Sequence, residues 1–354
     1  MSDRPALEIE TLESRCLAVG VQDAVELWWR INLLRSLSTE GLARLSLSSS
    51  SLVRQTLAPL AWNAHLRDSA QAHAMEMSGY NYFAHQSEVD SRWPNKMVRD
   101  QGYPLPQSLP NDRNDVESIF AGETFSEPDT LLADILKNDT ARAQLFPSED
   151  SSVLSTEIGI GCATDSEATF DHYWALHVAG RREGERFITG VVYEDRNNND
   201  LFDANEGMTG IRIETGELST TTNAQGIYSL AVAGGRHRVN FYDQENRLLA
   251  STMLTIGERS VAIDLQTNDA GLEINFRRRS WWTNAENHVD VNRDRLVNAM
   301  DALVIINQLN RTGVQSLGEP TSNTAYPSHA TDTNGDSYLN ATDALVVINY
   351  LNRG

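Results

Sequence analysis

Oxygen-bearing side chains recur in this chain at a spacing that suits a hard cation. From Asp290, acids and amides fall at positions 1, 3, 5, 9 and 12 of a twelve-residue turn: Asp290, Asn292, Asp294, Asn298 and Asp301, with the Leu296 carbonyl at position 7. The pattern returns as Asp332, Asn334, Asp336, the Tyr338 carbonyl, Asn340 and Asp343. It also stands upstream, as Asp195, Asn197, Asn199, the Leu201 carbonyl, Asp203 and Glu206. A tight backbone turn presents those positions inward, and an all-oxygen shell is what calcium takes. Position 6, normally glycine, is Arg295, Ser337 and Asp200. Left-handed backbone at a non-glycine costs about 1–2 kcal/mol. Arg293 sets a positive charge in the first C-terminal loop, so the second is expected to bind more tightly. Extracellular loops of this kind hold calcium with dissociation constants on the order of 0.1–1 mM. At a few millimolar calcium, each would add roughly 1–2 kcal/mol of stability.

The two C-terminal loops belong to a duplication. DVNRDRLVNAMDALVIINQLNR, from Asp290, repeats as DTNGDSYLNATDALVVINYLNR, from Asp332, with 14 of 22 positions identical. Apolar residues follow each loop at near-helical spacing: Leu303, Ile306 and Leu309, then Leu345, Ile348 and Leu351. These two stripes are expected to pack on each other.

Composition narrows the partners. A net charge of −20 disfavours nucleic acid and anionic membrane, because both would repel the chain. No apolar run reaches the roughly 18 residues that a membrane span needs. Two cysteines, Cys16 and Cys162, give no disulfide framework. No Gly-x-Ser-x-Gly is present, and Cys162 has no adjacent base in sequence.

The front of the chain is organised around Trp62 to Ser87. Leu66, Ala70, Ala74 and Met77 recur at helical spacing, and the small residues allow another layer to approach closely. Gly79, Asn81 and the aromatics after them end the helix and push His85 outward. His73, on the apolar face, reads as a satisfied core histidine, while His65 and His177 have no evident partner. Residues 22 to 36 form a second helix, with Val25, Leu27, Trp28, Ile31 and Leu34 on its apolar side. A serine-rich stretch around Leu45 to Leu52 reads as a surface excursion. TEIGIGCA and HYWALHVA read as core strands. After a charged hinge, Arg181 to Arg186, the periodicity changes to short alternating runs: FITGVVYED, GIRIET, GIYSLAV, RHRVNFYD, LLASTMLTI and SVAIDL. Such runs, separated by Gly and Asn turns, indicate a small β-sandwich.

Several motifs, in order, carry a family resemblance. Asn32 and Arg35 in INLLRS, His85 after the organising helix, Gly102–Tyr103, Gly122–Glu123 of AGETF, and His172–Tyr173–Trp174 resemble the CAP superfamily. That superfamily comprises cysteine-rich secretory proteins, antigen 5 and pathogenesis-related 1, and its domain is also called SCP. The resemblance covers residues 22–180 and implies an α-β-α sandwich, with residues 130–146 as its third helix. It also implies a cleft whose polar residues are His85, Glu123 and His172. The family's second acid has no counterpart at Ile135, Leu136 and Lys137; Asp139 or Glu157 could stand in. The cleft trio suits zinc or another divalent ion, weak acid–base catalysis, or simple hydrogen bonding that holds loops together. Few cysteines point to the bacterial branch.

Residues 187–277 resemble the calcium-binding B-repeat modules of bacterial surface adhesins, and residues 283–354 resemble a type I dockerin with paired EF-hand-like loops. In dockerins, loop positions 10 and 11, here Ala299, Met300, Ala341 and Thr342, help choose a cohesin partner. Residues 1–21 resemble, through Pro5, Leu7, Leu12, Glu13, Arg15 and Leu17, a segment that begins many exported bacterial proteins. The expectation is a multidomain α/β protein: α-β-α sandwich, all-β sandwich, then a small α dockerin. It would be secreted or displayed at a bacterial surface, calcium-loaded, and attached to a cohesin-like or other extracellular protein. A small ligand, lipid or metal would occupy the front cleft. Hydrolysis, as a CAP-type protease or within a polysaccharide-degrading assembly, is the alternative.

Overall fold

A computed structural model describes residues 20–44, 57–147, 155–181, 185–199, 201–257, 259–268, 271–277, 282–284, 287–294, 296–317, 327–334 and 338–353. The expectations for residues 1–19, the serine-rich stretch, Asp336 and all three position-6 residues fall outside these. The molecule is mixed α/β with several sheets. Its described residues divide into two compact units. The first holds those up to Ile31, Leu60–Glu185 and Phe202–Glu206. The second holds Asn32–Pro59, Arg186–Leu201 and Gly207–Gly354.

In the first unit, strands β1 (Ala61–Trp62), β2 (Glu117–Gly122), β3 (Glu157–Thr164) and β4 (His172–Ala179) form one sheet in the order β1-β3-β4-β2. Helix α1 (Gly20–Arg44) is tied to the start of this sheet by Trp28, whose Nε1 donates to the Leu60 carbonyl at 2.8 Å. Helix α2 (Ala64–Tyr80) lies across β3 and β4. Asn63 caps it, Oδ1 accepting from the His65 and Leu66 amides. Asn81 ends it in the left-handed region, at φ 56°, a conformation that asparagine tolerates. Its buried face is Leu66, Ser69, Ala70, His73, Ala74, Met77 and Ser78, which fall at i, i+3, i+4, i+7, i+8, i+11 and i+12 as a 3.6-residue turn requires.

The close approach is set by glycines on the strand as much as by alanines on the helix. A Cβ at Gly159 would stand 1.9 Å from Arg67 N, and one at Gly161 2.2 Å from Gln71 N. Gln71 completes the seam: its Nε2 donates to the Cys162 carbonyl at 2.8 Å and its Oε1 accepts from Cys162 N at 3.2 Å. The side-chain amide thus serves as the strand that the two-residue β1 does not supply.

Helix α3 (Pro94–Asp100) follows the His85 loop. The expected third helix is two, α4 (Pro128–Lys137) and α5 (Asp139–Leu145). Asn138 between them takes ψ 113° and caps the second, accepting from Ala141 N. Asparagine competes with the helix for its own backbone, which is why the run breaks there.

In the second unit, β5 (Phe187–Glu194), β8 (Ile227–Ala231), β11 (Val261–Asn268) and β12 (Gly271–Arg277) make one sheet. A second contains β6 (Arg212–Thr215), β7 (Leu218–Thr221), β9 (Gly235–Tyr242) and β10 (Leu248–Ile256). Ile188, Val192, Ile263 and Leu265 of the first share one core with Ile213, Val239, Phe241 and Leu254 of the second.

Downstream, helices α6 (Ala299–Thr312) and α7 (Ala341–Arg353) pack together, and β13 (Gln315–Ser316) pairs with β14 (Tyr338–Leu339). The packed stripes differ from the sequence expectation. Ala302 and Ile305 meet Ala344 and Val347 in the core, with Leu309 and Leu351 alongside. Leu303 and Ile306 are 45% and 36% exposed, and Leu345 and Ile348 are 52% and 36% exposed. Steps of three residues drift around a helix, whereas 302, 305 and 309 hold one face. The run ALVII is apolar on every side, so periodicity could not choose. Among the described residues no helix is long and apolar enough to cross a membrane.

The helix–sheet seam gives a test. Gly161→Ala should lower stability by about 3 kcal/mol through overpacking. Gly79→Ala, with nothing within 4 Å, should add about 0.5–1 kcal/mol by helix propensity. Urea midpoints of the two variants, compared with the parent, check both signs.

Candidate functional site

The polar centre of the first unit is a carboxylate held by three imidazoles. Glu117 opens β2 and pairs directly with His177 of β4, so both side chains share the sheet face that α2 covers. His73, on the buried face of α2, comes down on the same spot. Glu117 Oε1 lies 2.6 Å from His73 Nδ1 and 2.9 Å from His177 Nε2. Oε2 lies 2.8 Å from His85 Nδ1. The side chains of Glu117 and His177 are fully buried and that of His73 nearly so, while His85 is 42% exposed.

Burial alone would raise the Glu117 pKa, but hydrogen bonds from His177, His73 and His85 outweigh it and hold the carboxyl well below its usual range. An ionised carboxylate only accepts, so the three facing ring nitrogens carry the protons. In neutral rings this leaves lone pairs on His73 Nε2 and His177 Nδ1, both buried without a hydrogen-bond partner, and on His85 Nε2, on the exposed ring. Asn114 fixes the turn: Oδ1 accepts from Val116 N and Glu117 N, and Nδ2 donates to the Glu117 carbonyl. Asn114 Nδ2 also sits 3.1 Å from His85 Nδ1. With that nitrogen protonated, the contact is no hydrogen bond.

The sequence-derived trio is not assembled. His172 pairs with Gly122 at the far end of the β2–β4 ladder, and Glu123, beyond it, is exposed. His172 lies five residues from His177, which puts it about 16 Å away along the strand and on the opposite face. Burial lowers its pKa, partly countered by Asp171. His85 does reach a glutamate, but it is Glu117, six residues upstream of Glu123. Strand phase decides which residues meet here. Glu117, Ile119 and Ala121 alternate onto the inner face, as do His177, Ala175 and Tyr173. Three ionisable residues at inward positions of three elements were the available signal.

Glu157 is occupied elsewhere, accepting from Arg181 Nε, Tyr103 OH and Asn63 Nδ2 at 2.7–2.9 Å. Asp139 is paired with Arg142 at the protein surface. His73, Glu117 and His177 offer ligand atoms within 4.8 Å of one another. Zinc does not fit them as placed. Ligands bound at about 2.0–2.1 Å stand about 3.3 Å apart in a tetrahedron, whereas here oxygen and nitrogen lie 2.6 and 2.9 Å apart. The set is hydrogen-bonded.

The oxygen-rich turns have a common internal geometry. In the first C-terminal loop, Asp294 N donates to Asp290 Oδ1 and Asn292 Oδ1, and Leu296 N to Asp294 Oδ1. The upstream turn repeats this: Asn199 N donates to Asp195 Oδ1 and Asn197 Oδ1, and Leu201 N to Asn199 Oδ1. The position-12 acid accepts from the position-9 amide in each turn: Asp301 from Asn298, Asp343 from Asn340, and Glu206 from Asp203. Positive φ falls at position 4, at Asn198 and Arg293. The Arg293 guanidinium donates to the Pro327 carbonyl at 2.6 Å. Asp290, Asp301, Asp332 and Asp343 are at most 3% exposed. Four carboxylates so deeply buried in one small module fit a hard divalent cation.

Residues 288–352 match the family described as Dockerin type I domain. None of the curated proteins matches the chain. Among solved structures, an extracellular protein containing an SCP domain from Bacillus anthracis str. Ames is similar at 15% identity and a TM-score of 0.29. The overlap covers 50% of this chain and 45% of that one, so this chain spans less than half of its length. An outer surface protein from Borrelia burgdorferi is similar at 11% identity and a TM-score of 0.27, over 42% of this chain and 88% of that one. Both scores are too low to equate the folds.

Glu117 and its partners should separate under mutation. Glu117→Gln, which sets an amide N–H against imidazole N–H, should cost about 3 kcal/mol, whereas His85→Ala should stay within about 1 kcal/mol. Because the native carboxyl is depressed, its contribution is complete above the ordinary value of about 4.3 and is lost as pH falls from there toward the native value. Urea midpoints from pH 7 to 3 should therefore fall more steeply in the parent than in Glu117→Gln.

Proposed function

We propose that this chain is a secreted or surface-displayed attachment protein whose C-terminal module docks, with calcium, onto a cohesin-like extracellular partner. The match at residues 288–352 carries this reading. The packing of α6 and α7 supports it. Leu303 and Ile306 on one helix and Leu345 and Ile348 on the other are equivalent positions of the duplication, and each pair faces solvent. Apolar pairs left outside a small module are what a partner surface would cover. Calcium holds the two loops that set the first turns of those helices: Asp290, Asn292, Asp294, Leu296, Asn298 and Asp301, then Asp332, Asn334, Asp336, Tyr338, Asn340 and Asp343. A further ion is held at Asp195, Asn197, Asn199, Leu201, Asp203 and Glu206.

The front unit, read as a CAP-type domain, is the cargo thus positioned. Its outward group is His85, with Nδ1 committed to Glu117 and Nε2 left for a small ligand or lipid. A hydrolase is the second reading, favoured because a carboxylate-held imidazole is how a general base is oriented. Ser87, the serine nearest to His85 in sequence, is no free nucleophile: it is buried and donates to Glu76 Oε1. A panel of peptides and glycans, cleaved by the parent but not by His85→Ala, would favour the hydrolase.

The attachment reading is tested with immobilised purified cohesin-type modules. The full chain should be retained in millimolar calcium and released by EDTA. Replacing Leu303, Ile306, Leu345 and Ile348 together by Ser should abolish retention while calcium still raises the melting temperature. Equal retention in EDTA would sink the reading.

A further inference from the structure

Trp282, Thr283 and Asn284 hold both C-terminal loops at their first ligand position. Asn284 Nδ2 donates to the Asp290 carbonyl at 2.7 Å. On the same three residues, the Trp282 carbonyl accepts from Asp332 N at 3.1 Å. Thr283 Oγ1 donates to the Asp332 carbonyl at 2.7 Å. Asn284, Asp290 and Asp332 are 5%, 3% and 0% exposed, so water competes little for these bonds. Two ties join the first loop to the segment entering the second. Ala330 N donates to the Val291 carbonyl at 2.8 Å, and Arg293 donates to the Pro327 carbonyl at 2.6 Å.

We propose that the two loops fill with calcium as one cooperative unit, and that Thr283 and Asn284 are the residues that couple them. This rests on the reading that both loops take calcium. An ion in the first loop fixes Asp290, and through its carbonyl fixes Asn284. Asn284 is continuous with Thr283 and Trp282, whose bonds place Asp332 for the second ion. The entropy of ordering this clasp is spent once, by whichever loop fills first, and the other finds its first ligand already set. The coupling is reciprocal, so it does not matter which loop leads. Arg293 has a part in this. At position 4 its backbone takes φ 61°, and its guanidinium is bonded to the approach to the second loop. A residue whose charge opposes the ion in its own loop thereby braces the neighbouring one.

The test is calorimetric titration of calcium into the calcium-free full chain, with Asp195→Asn in every protein so that the upstream turn adds no signal. The parent should take two ions with a Hill slope above about 1.5. Thr283→Val and Asn284→Ala should each bring the slope to about 1 while two ions still bind. In a second arm, Asp343→Asn disables the second loop. The first loop should then bind roughly tenfold more weakly than in the parent, within the usual range of coupling energies. Adding Asn284→Ala to Asp343→Asn should weaken it little further. No calcium heat at all would mean that the loops are not calcium sites. Two ions with unit slope in the parent, an unchanged slope in both clasp variants, or an unchanged first loop in Asp343→Asn would each overturn the coupling.

Discussion

Buried carboxylates, and what answers their charge, govern this structure. An isolated anion cannot be taken out of water without a penalty of many kcal/mol, yet this acidic chain buries at least six. Glu117 is answered by three imidazole N–H groups, Glu157 by Arg181, Tyr103 and Asn63, and the loop aspartates Asp301 and Asp343 by backbone amides in turns whose spacing suits a hard cation. The packing follows from these requirements. His73 must lie on the inner face of α2 because Glu117 lies on the inner face of β2. Gly159 and Gly161 must lack side chains because α2 has to come close enough for the two to meet.

The same requirement makes His85 different from its neighbours. His73 and His177 are sealed in, and their second nitrogens, His73 Nε2 and His177 Nδ1, are buried with no hydrogen-bond partner from the protein. Only His85 is bonded to the carboxylate at one nitrogen and open to solvent on the rest of its ring. A residue held rigidly on one side and open on the other is suited to meet a ligand. The buried pair instead fixes the carboxylate that orients it.

How far the sequence carried depended on whether a motif is local. The oxygen-rich turns are contiguous, so twelve residues contain each whole pattern, and the duplication made the two C-terminal ones plain. The organising helix was legible because Leu66, Ala70, Ala74 and Met77 mark its buried face. The histidine–glutamate centre is assembled from α2, a loop, β2 and β4, and its membership turns on strand phase. His172 shares a strand with His177, but a shift of five residues, an odd number, moves its side chain to the other face, and Glu123 lies past the end of β2, where the ladder stops. The break at Asn138 and the inner stripe of α6 and α7 were hidden for related reasons. One needed a single ψ angle, and the other a choice among uniformly apolar faces.

The two ways of neutralising a buried acid have different consequences for the chain's working conditions. Imidazole, guanidinium, phenol and amide donors are part of the covalent chain, so the front unit carries its own counter-charges wherever it goes. A cation is borrowed from the medium, and a carboxylate arranged for one is stable only where that ion is plentiful. A C-terminal module that takes calcium, as proposed, would be held together where the ion is millimolar and loosened where it is scarce. On the attachment reading, the C-terminal fold would mature where a partner is met, while the unit bearing His85 is complete beforehand. On that reading the division between self-neutralised and ion-neutralised carboxylates is also a division of labour, between a centre that must always be formed and an attachment that need form only where the ion is plentiful.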